Sequence, residues 1–145
     1  MAGKKGSLFA ADIKRLVADY KTNVNDVVKQ SLQEVTDRVV AGTPVDTGYA
    51  RATWWTSVDD SKPAHPSPPK KGERGVAGSA TGSPVVTVTD YADAVGRRFQ
   101  LKSSAPYMRR LEYGWSQQAP VGWIRLVLAD FRNIVAKSAS DVGAK

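Results

Sequence analysis

The 145-residue chain contains no cysteine, which excludes disulfides, a thiolate nucleophile and any Cys-based zinc site. It has one histidine, His65, set among prolines. That stretch offers neither the fixed partner nor the shielded pocket a general base needs. There is no His pair and no Asp-rich calcium loop, and Asp59, Asp60, Asp90 and Asp93 read as loop and turn carboxylates. The glycines at 72, 75, 78 and 82 are not followed by the Gly-Lys-Ser/Thr end of a phosphate loop, and no Gly-x-Ser-x-Gly elbow occurs. No run approaches the ~18 consecutive apolar residues of a membrane span. The Gly/Lys-rich start, Met1 to Ser7, leads into no long apolar segment, so no signal peptide is read. The expectation is a soluble chain with no membrane partner, no catalytic residue, no metal and no cofactor.

What is present is a basic excess, with a formal net charge of +7. Residues 1–56 carry eight positive and six negative side chains, whereas residues 95–145 carry nine positive against Glu112, Asp130 and Asp141. A C-terminal excess of this kind serves nucleic acid, an acidic protein partner or plain solvation. Arg97/Arg98 and Arg109/Arg110 lie near Phe99, Tyr107 and Tyr113, a mixture that single-strand binders use. No helix-turn-helix, zinc finger or ribonucleoprotein motif accompanies them. A small basic nucleic-acid-binding protein is therefore the alternative reading.

The length suits one domain, 1–145. Phe9, Ile13, Leu16, Val17, Tyr20, Val24, Val27, Val28, Leu32, Val35, Val39 and Val40 recur at threes and fours, one face of a helix over 8–40. Asn23 and Asn25 are capping residues that allow a break near 21–25. Gly42 and Pro44 stop the helix. At about 30 residues it would span about 45 Å, longer than a small domain needs. The segment 43–48 is a turn, and Arg51–Val58 reads as a strand. Trp54 and Trp55 point to opposite faces of it, so one enters the core and the other needs a cover or a partner. Residues 59–84 hold four prolines (Pro63, Pro66, Pro68 and Pro69) and then a Gly/Ser/Ala run to Pro84, with almost nothing to bury, a flexible loop or arm. Val85–Thr89 and Arg97–Ser103 are strand candidates. A short helix follows over Met108–Tyr113, stopped by Gly114. Pro120 marks a possible helix start, and Ile124, Val127, Leu128, Phe131, Ile134 and Val135 form a second amphipathic stripe. Residues 1–7 and 138–145 are polar, flexible ends. The class is α+β: a long N-terminal amphipathic helix and a C-terminal helix packed on a small antiparallel sheet, with a long flexible loop.

Two segments carry a resemblance. The first is Thr43-Pro44-Val45-Asp46-Thr47-Gly48, with Arg51 and Trp54 after it and a long amphipathic helix before it. The second is Ala105-Pro106-Tyr107-Met108-Arg109-Arg110-Leu111-Glu112-Tyr113-Gly114, then Gln118-Ala119-Pro120-Val121-Gly122 and a final helix. In this order they resemble the neck and tail-completion (minor tail) proteins of long-tailed bacteriophages, over roughly residues 25–58 and 95–137. The resemblance implies a virion protein without catalysis, typically a hexameric ring at the head–tail junction and in the host cytoplasm during assembly. Its implied partners are other copies of itself, the connector or head-closure protein, and the tail-terminator or tail-tube protein. Non-specific contact with DNA in the channel goes with such a place. Trp54, Trp55, Tyr107, Arg109, Arg110, Glu112 and Tyr113 are the candidate subunit-interface residues, with Glu112 set against an arginine of the next copy.

Overall fold

A computed structural model describes residues 3–45, 49–59 and 93–144 of the chain. Most of the 59–84 arm, His65, the strand expected over Val85–Thr89 and the turn residues Asp46–Gly48 lie outside the described residues. The order is α1 (Gly3–Gly42), α2 (Tyr49–Ala52), β1 (Trp54–Val58), β2 (Phe99–Ser103), α3 (Met108–Arg110), a wide turn (Leu111–Trp115), α4 (Ile124–Ala129) and α5 (Phe131–Gly143). The α+β class is what the sequence pattern calls for.

α1 has 40 residues, about 60 Å of helix at 1.5 Å per residue. It is continuous through Asn23 and Asn25, so the break allowed there does not occur. It takes in most of the N-terminal stretch expected to lie outside it, and α5 likewise takes in most of the polar tail from Ser138. Inside α1, Ser31 and Thr36 are buried with their hydroxyls donating to Val27 O and Leu32 O, both at 2.7 Å. Returning a hydroxyl to the preceding turn lets a small polar residue face a packed surface without an unmet donor.

That packed surface is α5, which lies along the second half of α1 with Ile134 and Ser138 buried. The expected single C-terminal helix is broken at Asp130. Arg38 bridges Glu34 and Asp130 at 2.7 Å each, tying α1 to the break. The Asn133 amide and the Arg38 guanidinium hold the Asp130 carboxyl below its usual range.

β1 and β2 form a two-stranded antiparallel sheet with Trp54 opposite Ser103 and Val58 opposite Phe99. β1 starts three residues later than the expected Arg51, because Tyr49–Ala52 make a helical turn instead. That turn sends the Arg51 guanidinium back to Ala41 O at 2.8 Å and Thr43 O at 3.2 Å. It thus caps carbonyls that a helix C-terminus leaves without partners. The sheet joins the helices through one core of Val39, Ala50, Trp54, Ala105, Met108, Ala119 and Trp123.

Candidate functional site

The C-terminus of α1 is where the two sequence segments meet. Thr43 is buried, and its hydroxyl donates to Val39 O at 2.9 Å while accepting from Trp54 Nε1 at 2.8 Å. Trp123 Nε1 donates to the same Val39 carbonyl at 2.9 Å. Both buried tryptophans therefore spend their one donor on the end of α1, where acceptors are in excess. Gly42 leaves room for the Trp123 ring, whose Cδ1 would lie 2.9 Å from a Cβ there. Gln118 completes the junction by pairing with both backbone groups of Val45, accepting from N at 2.9 Å and donating to O at 2.7 Å.

Glu112 holds the second segment together. It is buried, and its carboxylate accepts from the backbone N–H groups of Trp123 and Ile124 at 2.9 Å and Arg125 at 3.1 Å. Arg125 Nε adds a charged bond at 3.0 Å. Burial alone would push this carboxyl up; the three backbone donors and the guanidinium together hold it below the usual glutamate range. The first turn of α4 is thus capped from a turn eleven residues earlier, which is why the helix begins at Ile124 and not at Pro120. Gly122 (φ +80°) permits the approach, since a Cβ there would collide with the Glu112 carbonyl and carboxylate.

Around this clamp the surface is aromatic and cationic. The chain turns at Gly114 (φ +91°), and Trp115 beyond it is 77% exposed. Tyr113 is also exposed, with the Arg109 and Arg125 guanidinium carbons 5.9 and 5.0 Å from its ring centre. Arg110 lies 5.5 Å from the Trp115 ring. Pro106, Arg109, Arg110 and Tyr113 line a shallow open depression. Arg109 and Arg110 make no ion pair among the described residues. Such a face can receive a carboxylate, a phosphate or a planar ring. No cluster of metal-ligating side chains is present among the described residues, and no helix there is long and apolar enough to cross a membrane.

The seven candidate residues separate into three groups. Trp54 is core, 4% exposed, and Glu112 is taken up inside its own chain, so neither is free to meet a neighbour as expected. Trp55 lies on the other face of β1, half-buried under Lys102 Nζ at 5.0 Å from the ring centre. Tyr107 packs its ring centre 6.3 Å from that of Tyr49 and stays partly exposed. Arg109, Arg110 and Tyr113 share the exposed face, with Trp115 and Arg125, which sequence reasoning had no periodicity to single out.

A second uncovered surface lies on α1. Phe9, Ile13, Leu16, Val17 and Tyr20 are between 44% and 69% exposed, and every residue from Gly6 to Asn23 is exposed. No protein-family model, no curated protein and no solved structure matches this chain.

Proposed function

We propose that this protein is a non-catalytic structural subunit of a bacteriophage head–tail junction, a neck or tail-completion protein that works as a homo-oligomeric ring. One observation carries the reading. The first half of α1 projects from the core with a row of large apolar side chains that nothing in the described chain covers. A contiguous apolar surface of this kind marks an interaction site. The resemblance supplies its setting, and the meeting of the two resembling segments at the end of α1 makes them one frame. In that setting the ring lies between the connector or head-closure protein and the tail-terminator or tail-tube protein. It forms in the host cytoplasm and ends in the virion.

The test is the mass of the purified protein in solution, alone and after mixing with tailless heads or free tails of a matching phage. A ring, or stable capture by either particle, is the expected result. A monomer that binds neither particle overturns the reading.

The exposed arginines and rings around Tyr113 and Trp115 favour a second reading, a small basic nucleic-acid-binding protein. Bases stack on such rings while phosphates meet the guanidinium groups. A salt series of DNA binding separates the two, because phosphate contacts weaken steeply as salt rises. Absence of binding at low salt removes this second reading.

A further inference from the structure

The uncovered half of α1 has two edges of opposite charge. At about 100° per residue, Phe9, Ile13, Leu16, Val17 and Tyr20 fall on one stripe. Asp12 and Asp19 then run along one side of it, and Lys14 and Lys21 along the other. All four charged residues are exposed. None of them makes an ion pair among the described residues. Each edge repeats at seven residues, the spacing that keeps a charge beside a helix–helix seam.

This arrangement selects both an occupant and an orientation. Turning a second copy end over end brings acidic edge onto acidic edge. Setting it alongside in the same direction brings the acidic edge of one helix onto the basic edge of the next, on either side. Opposite charges flanking an apolar seam set the partner and direction in paired helices.

We propose that neighbouring copies of this chain pair through the first halves of their α1 helices, parallel and in register. Asp12 and Asp19 of one copy then face Lys14 and Lys21 of the next. The inference rests on the reading that the chain works as an oligomer, and it names the surface and the hand of the contact. A parallel contact repeats around an axis along the helices: around a two-fold both edges of a copy meet one partner, and in a larger cyclic assembly each edge meets a different neighbour.

The absence of cysteine gives a clean experiment on the full chain. Single replacements Ile13→Cys, Leu16→Cys and Tyr20→Cys are oxidised, and covalent dimers are scored on a non-reducing gel. Arg15→Cys, on the opposite side of the helix, is the control. Parallel in-register pairing joins each of the three stripe positions to its own copy and leaves Arg15→Cys monomeric. Cross-linking at a single stripe position, at none, or equally at Arg15→Cys overturns the proposal.

A second arm reverses the edges. D12K/D19K alone and K14D/K21D alone lose self-association, and a one-to-one mixture of the two regains it. Two variants that each associate like the parent, or a mixture that stays monomeric, overturn it as well. The ring and the pairing can fail separately. Same-position cross-links in a particle with the mass of a dimer keep the pairing and remove the ring. Capture by heads or tails with no cross-link at any stripe position keeps the junction role and removes the pairing.

Discussion

The two halves of α1 share one apolar periodicity and have opposite surroundings. The second half buries Ser31, Thr36 and Val39, and its neighbours are α5, Trp54 and Trp123. The first half buries nothing, yet it carries the larger apolar side chains, Phe9, Leu16 and Tyr20. Small residues in the packed half let α5 approach closely, while the bulky ones in the free half would hold a packing helix at a greater distance. Periodicity announces that a face is to be covered.

The comparison breaks most sharply with a pair of truncations. Trp123→Ala, which strips the packed end of α1 of a buried ring and a donor to Val39 O, is expected to cost about 3–5 kcal/mol. Tyr20→Ala in the free half should leave monomer stability within about 0.5 kcal/mol. Denaturant unfolding of the two variants checks both. A comparable loss in Tyr20→Ala would mean that the first half is covered by its own chain after all.

Ile134→Ala sharpens the same contrast from the partner side. Ile134 is 2% exposed against α1, so its truncation should cost about 2–5 kcal/mol. Leu16→Ala, 65% exposed, should again leave the monomer nearly unchanged while abolishing self-association, read by light scattering.

The next effect depends on pH. Glu112 has a lower pKa folded than unfolded, so the stability it adds is whole above the ordinary glutamate value, about 4.3. It is lost as the pH falls below that value. Glu112→Gln should cost on the order of 2 kcal/mol at neutral pH, the scale of a hydrogen bond to a charged group. It should also flatten the acid side of the stability profile. Thermal melts from neutral to acid pH would show this, and an acid limb as steep as the parent's would exclude the clamp as its source.

How much of this was legible in the sequence follows from which bonds are local. α1, the two strands and the C-terminal apolar stripe carry their own periodicity and could be read directly, whereas the break at Asp130 could not. The start of β1 could not, because Arg51 is turned toward carbonyls of α1 by a bond that no pattern of apolar residues encodes. α4 starts at Ile124, beyond the start that Pro120 allows, for a related reason: its cap comes from Glu112, a different segment. Adjacency leaves open which of Trp54 and Trp55 is buried, and Thr43 decides it by offering an acceptor to Trp54. Trp115 stands alone after a glycine, outside any stripe, so nothing in the pattern points to it.

The Glu112 clamp has a consequence for any partner that reaches Tyr113 and Trp115. The loop that carries them, Glu112 to Gln118, is already held at one end by Glu112 on the start of α4 and at the other by Gln118 on Val45. Its backbone is ordered before contact, which removes about 1–2 kcal/mol per residue from the cost of docking. A fixed loop also fixes an angle. A repeated contact closes on itself when a constant rotation between copies brings the last back to the first, and otherwise winds into an open filament. Seven residues pinned at both ends are a means of keeping that rotation constant.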